Sequence, residues 1–172
     1  MKRVIQNHNN KILKTDNAKD TPEKCCSCPN NRKDTCPLEN KCLKGSLIYK
    51  ATVKKSGHFY LGIAETNFKD RYTKHKYSFR HEKSKNATAL SQHIWNTGQN
   101  ITPSNPEPDI KWEIAKSAQS CKPGSSTCGL CLEEKLQILK HNKNSKCLNK
   151  RSELTARCII FHRTRNKLKN ID

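Results

Sequence analysis

Apolar and polar positions alternate most regularly between residues 47 and 63. Leu47-Ile48-Tyr49-Lys50-Ala51-Thr52-Val53 and His58-Phe59-Tyr60-Leu61-Gly62-Ile63 flank a Ser56-Gly57 pair. β-Branched and aromatic residues on both sides of such a pair predict a β-hairpin. From Asn67, a suitable N-cap, the period lengthens to 3.6, and Phe68, Tyr72, His75 and Phe79 recur along one face toward Arg80. Arg71 and His75, four apart, also share a helix face. A second helix is predicted over 87–95, with Leu90, Ile94 and Trp95 inward and Gly98 near its end. Pro103, Pro106 and Pro108 forbid regular pairing and predict a loop. Ile110, Trp112 and Ile114 then alternate as a third strand, and 133–139 reads as a helix with Leu132, Leu136 and Leu139 on one face. A short helix over 152–158 closes the pattern. The order β-β-α-α-β-α-α predicts a small α+β domain over residues 45–158, a three-stranded, mainly antiparallel sheet flanked by helices.

Outside that domain the patterning fades. Residues 1–24 read as a basic, polar tail and the remnant of an upstream region, 25–44 as a cysteine-rich segment without periodicity, and 159–172 as a basic C-terminal tail. The formal net charge is +19, from 34 Lys and Arg against 15 Asp and Glu, which predicts attraction to a polyanion. DNA is the first candidate and RNA the second. A membrane partner fits poorly, because neither a long apolar run nor a basic amphipathic helix is present.

The first twenty residues lack the apolar core of a secretory signal. The ten cysteines therefore read as reduced thiols or metal ligands, and the compartment as nucleus or cytosol, not the exterior. Cys25 and Cys28 form a C-x-x-C with Cys26 inside it, and Cys36 and Cys42 follow. Such pairs suit tetrahedral Zn²⁺, with Cys25 or Cys26 joining Cys28, Cys36 and Cys42 in an all-cysteine set. A second C-x-x-C, Cys128 and Cys131, either staples the start of the following helix or consists of ordinary buried thiols.

The two hairpin tyrosines, Tyr49 and Tyr60, are followed in order by Arg71 and His75, then by Glu134 in Cys131-Leu132-Glu133-Glu134-Lys135-Leu136, then by Asn149 in Leu148-Asn149-Lys150-Arg151. This series resembles the GIY-YIG nuclease family. Leu47 stands where the first motif has glycine, and the second motif reads Tyr60-Leu61-Gly62. The resemblance implies hydrolysis of phosphodiester bonds. Tyr49 would be the general base beside Tyr60, Arg71 would bind the scissile phosphate, and His75 would transfer a proton or touch phosphate. Glu134, in preference to Glu133, would hold Mg²⁺ or Mn²⁺, and Asn149 would fix the local loop or the nucleophile network. Taken singly, each residue has an ordinary structural explanation; the order and spacing of the set carry the resemblance.

A narrower resemblance, to the endonuclease domain of Penelope-like retroelements, rests on further pieces. They are Cys36-Pro37-Leu38 with Cys42, Ser78-Phe79-Arg80-His81-Glu82-Lys83, Leu90-Ser91 with His93-Ile94-Trp95, Ile110-Lys111-Trp112, and Leu148-Asn149-Lys150-Arg151-Ser152-Glu153-Leu154. It implies a zinc site of two cysteines and two histidines, here Cys36 and Cys42 with two of His75, His81 and His93; His81 and His93 are preferred because His75 fits the catalytic face better. That set and the all-cysteine set compete for Cys36 and Cys42. The resemblance also implies descent from a retroelement and a truncated or domesticated copy. A catalytically inactive, zinc-stabilised nucleic-acid-binding protein is the alternative function.

Overall fold

A computed structural model describes residues 26, 28, 36–120, 127–150 and 152–155. Strands β1 (Leu47–Val53) and β2 (Phe59–Ala64) form the predicted hairpin. Gly57 in its turn has φ +68°, the left-handed region that glycine enters without steric cost. Helix α1 (Phe68–Arg80) starts at Asn67, whose side chain accepts from the Asp70 N–H, so the sequence-level cap is formed. Helix α2 (Ala89–Asn96) is capped in the same way by Thr88. The proline-bearing segment carries a single Thr102–Asn105 bridge and leads into β3 (Ile110–Ser117). Helix α3 (Gly129–Lys140) and a short helix α4 (Ser152–Thr155) follow. The remainder of the 152–158 helix and the two tails lie outside the described residues.

The sheet runs β2-β1-β3, and both pairings are antiparallel. With β1 central, its residues are covered on both sides, and the period-2 alternation sorts two cores instead of a core and a solvent face. On one side Leu47, Tyr49, Ala51, Val53 and Tyr60 pack with Phe68 and Phe79 of α1, Leu90 and Ile94 of α2, and Cys36 and Cys42. On the other, Ile48, Phe59 and Leu61 pack with Leu130 and Ile138 of α3. The result is a helix–sheet–helix stack that brings side chains from both helical layers to β1. Between Ile48 and Tyr49 the register with β3 slips by one residue, leaving Ala115 unopposed beside the first catalytic candidate.

One expectation about α3 is corrected. Leu132, Leu136 and Leu139 do lie on one flank, but that flank is exposed, at 58, 43 and 46% of full accessibility. The inward stripe is Leu130, Glu134 and Ile138, spaced i, i+4, i+8, with a carboxylate where an apolar residue would be expected. The count of leucines misdirected the phase of the helix, because the buried face gives its middle position to an acid.

A polar seam joins α1 to α2. The buried Ser78 hydroxyl donates to the His75 carbonyl and lies 2.6 Å from the Ser91 hydroxyl, which is 2.9 Å from that of Thr88. Trp95 Nε1 donates to the Ser78 carbonyl. The packing of α1 on α2 is thereby fixed where α1 carries His75.

Candidate active site

Tyr49 is fully buried at the centre of β1, and its hydroxyl is the hub of the site. Arg71 Nε donates to Tyr49 Oη at 3.2 Å, and Tyr49 Oη lies 2.7 Å from His75 Nε2. Arg71 can only donate, so the simplest proton arrangement has Tyr49 accept from the guanidinium and give its own hydrogen to a neutral imidazole. Burial, with the Arg71 charge added, pushes His75 down to about 3, which keeps the ring neutral. Burial likewise pushes Tyr49 up to about 12, against the opposing pull of Arg71, and raises Tyr60 strongly. Arg71 loses solvation, but the phenol oxygens of Tyr49 and Tyr60 more than offset this and its pKa rises. A guanidinium is thus fixed, charged, against two phenols.

The hairpin register places Tyr49 opposite Gly62 and Tyr60 opposite Ala51, so both tyrosines project from one face with ring centroids 6.4 Å apart. Gly62 is what makes room. A Cβ there would lie 2.5 Å from Tyr49 Oη and 2.8 Å from Tyr60 Cε1. Tyr49 has nowhere to retreat, since Phe68, His75 and Trp112 hold its ring at 5.3, 5.7 and 5.9 Å. Gly62→Ala is therefore expected to cost about 1–3 kcal/mol, the usual overpacking penalty, seen as a lower urea midpoint. An unchanged midpoint would show that Tyr49 is not confined in this way.

Asn149 reaches the same region from the segment before α4. Its Oδ1 accepts from the Leu61 N–H and its Nδ2 donates to the Leu61 carbonyl, both at 2.8 Å. This paired bond clamps residues 147–149 to β2, next to Tyr60. Its Nδ2 also donates to Glu153 Oε2 at 2.8 Å, and Glu153 Oε1 accepts from the Lys150 N–H. Glu153 was not singled out from the sequence as a site residue. The available signal was its place three residues after Lys150, the spacing at which a carboxylate in the first turn of a helix reaches back to accept a backbone N–H just ahead of that helix.

Glu134 arrives from α3, in electrostatic reach of Glu153, Arg71 and Tyr49. Burial first, and the Glu153 charge second, push its carboxyl up to about 7, and Arg71 pulls the other way. Among the described residues it takes part in no ion pair. Glu133 points elsewhere and accepts from Gln137 Nε2 at 2.6 Å. The structure therefore brings Tyr49, Tyr60, Arg71, His75, Glu134 and Asn149 together from five segments. A mostly buried carboxylate crowded by a second acid, and raised despite Arg71 and Lys135, is a group that a hard divalent cation would stabilise.

The cysteine-rich segment forms a separate centre. The Sγ atoms of Cys26, Cys28, Cys36 and Cys42 all lie within 4.8 Å of one another and could hold a metal ion such as zinc. Cys26 and Cys36 are 3.6 Å apart, Cys28 and Cys42 3.7 Å, and Cys42 and Cys26 3.4 Å. A tetrahedron with Zn–S bonds of about 2.3 Å has edges of roughly 3.8 Å, so the thiols stand close to ligand positions. The set uses a C-x-C, Cys26-Ser27-Cys28; Cys25 lies outside the described residues.

The expected histidine ligands are not there. His81 caps the C-terminal end of α1, where its ring lies 4.0 Å from that of Tyr77. The cysteines anchor the other end of that helix, through the Lys69 N–H donating to the Cys42 carbonyl. Twelve helical residues, roughly 18 Å at 1.5 Å each, separate the two ends. His93 Nε2 instead pairs with Ser56 Oγ at 3.0 Å, and its ring lies against His58. Cys128 and Cys131 join no metal-ligand cluster among the described residues. Cys128 caps α3 through its sulfur, and both pack into the second core as thiols.

Comparison with known proteins adds no neighbour: no family model matches the chain, and no curated protein or solved structure is significantly similar to it. Among the described residues no helix is long and apolar enough to cross a membrane.

Proposed function

We propose that this protein is a divalent-metal-dependent DNA endonuclease of the GIY-YIG type, akin to the endonuclease domain of Penelope-like retroelements and working in the nucleus. The observation that carries the reading is the convergence of Arg71 and Glu134 from opposite helical layers on the buried Tyr49 hydroxyl. A carboxylate kept beside a phosphate-binding guanidinium repels phosphate unless a cation lies between them.

In this reading Arg71 forks onto the scissile phosphate and neutralises charge as the phosphorane forms. Tyr49, held by Arg71 and by its 2.7 Å contact to His75 Nε2, orients the attacking water and, as a phenolate favoured by the Arg71 charge, would take its proton. His75, pushed down to about 3 by burial and the Arg71 charge, stays neutral and positions the Tyr49 hydroxyl instead of taking up its proton. Tyr60 closes the other side of the water's position. Glu134 would hold Mg²⁺ or Mn²⁺, which when bound stabilises the leaving oxygen. Asn149 and Glu153 keep the wall beside β2 in register. The cysteine cluster would hold Zn²⁺ as a structural ion.

The test is nicking of supercoiled plasmid by the purified protein in Mg²⁺ or Mn²⁺, beside Arg71→Ala of matched thermal stability. Metal-dependent nicking in the wild type, lowered about 10²–10³-fold in the variant, is expected. A wild type that binds plasmid without ever cutting it, in either ion, leaves the non-catalytic binding protein as the correct reading.

A further inference from the structure

Residues 146–149 run alongside β2 as a short fourth, parallel edge. The Phe59 N–H donates to the Lys146 carbonyl, the Leu148 N–H donates to the Phe59 carbonyl, and Phe59 bridges Cys147. This edge begins at the hairpin turn, where Lys146 Nζ lies 3.3 Å from where a Cβ of Gly57 would be. It ends at Asn149, inside the site described above.

A further lysine and two histidines gather beside it. Lys150 Nζ donates to Gln92 Oε1 of α2, which brings that lysine against the same helix that carries His93. The His93 ring lies 4.7 Å from the His58 ring, and the Ser56 hydroxyl bonds His93 Nε2. His58 Nδ1 is buried without a hydrogen-bond partner. None of the four ion pairs among the described residues includes Lys146, Lys150 or either histidine. Two ammonium groups outside any ion pair are stabilised by a bound anion, to which a ring N–H of the facing imidazoles can donate.

We propose that this edge, formed by the Ser56-Gly57 turn, Lys146, Lys150 and the His58–His93 pair, binds backbone phosphate of double-stranded DNA flanking the phosphodiester that is cut. The proposal rests on the endonuclease reading for what lies at Asn149, and on the edge's own geometry for the contact. It gives His93 a phosphate-side role in place of a zinc-ligand role.

The experiment is a salt titration of duplex binding by fluorescence anisotropy in Mg²⁺-free buffer, so that it does not depend on cutting. Each lost phosphate contact lowers the slope of log affinity against log salt by about 0.9. Lys146→Gln/Lys150→Gln is expected to make the slope shallower by about 2, and Lys146→Arg/Lys150→Arg to retain it. Lys54→Gln/Lys85→Gln, which removes two lysines held in ion pairs, is expected to leave the slope close to wild type. An unchanged slope in the first variant, or an equal loss in the control, overturns the edge. The two readings separate cleanly. Wild type that nicks normally while Lys146→Gln/Lys150→Gln keeps its slope removes the edge alone, whereas wild type that never nicks but shows the expected slopes removes only the endonuclease reading.

Discussion

Glu134→Gln is expected to abolish metal-dependent nicking and, in the same protein, to raise stability above pH 7 in the absence of Mg²⁺. The two effects have one cause. Glu134 sits in the buried stripe of α3 with Leu130 and Ile138, and burial with Glu153 nearby lifts its carboxyl from 4.5 to about 7. A group whose folded value lies above its unfolded value favours the neutral form in the folded state. The penalty is therefore absent below about pH 4.5, grows between 4.5 and 7, and is complete above 7. The full shift would correspond to about 3 kcal/mol, and residual solvent contact reduces that to an expected gain of about 1–2 kcal/mol. Glutamine keeps the shape and never ionises. Urea midpoints of the two proteins should coincide near pH 4.5 and separate at pH 8, with the variant higher. Mg²⁺ at pH 8 should then stabilise wild type and not the variant, by the usual linkage between ligand and folded state. Nicking should fall by about 10²–10³-fold or more. A variant less stable than wild type at pH 8 would show that Glu134 is structurally satisfied and not held for a cation.

How much of this was legible beforehand depended on whether one residue's own pattern decided its position. The hairpin was legible because alternation and the Ser56-Gly57 turn agree, and α1 because Asn67 and the Phe68-Tyr72-His75-Phe79 period agree. The α3 phase was not, because Leu132, Leu136 and Leu139 outnumber the residues that actually face the sheet, and one inward position is an acid. Glu134 itself was reached by resemblance, not by periodicity. Glu153 was passed over since its partner contacts, Asn149 and the Lys150 N–H, are made only once residues 147–149 dock on β2. Metal ligands were the hardest case. Spacing offered the all-cysteine set and the resemblance the cysteine–histidine set, and the placement of His81 at the far end of α1 and of His93 against His58 separates them.

Zinc is expected in the purified protein at one ion per chain, and Cys42→Ser is expected to lose it together with much of the fold's stability. Cys42 is fully buried in the same core as Tyr49 and Phe68, so its segment is not an appendage. Its carbonyl accepts from the Lys69 N–H and that of Lys44 from the Phe68 N–H, which ties the cysteine segment to the first turn of α1. Arg71 leaves that helix two residues later. The described residues of this segment form no helix or strand, so the ion would be the main tie between the four thiols, and metal binding of that kind is itself folding free energy. Structural zinc in small domains contributes on the order of 10 kcal/mol, of which a buried serine in place of one thiolate would remove several. The expected readings are loss of stoichiometric zinc by elemental analysis, a thermal midpoint lower by about 10 °C or more, and weakened nicking even when Mg²⁺ is resupplied. His81→Ala and His93→Ala should keep the zinc. Full zinc content in Cys42→Ser, or its loss in either histidine variant, would return the ligand set to the cysteine–histidine alternative. Because a bound metal would fix the turn that carries Arg71, removing it should impair phosphate engagement before the rest of the sheet unfolds.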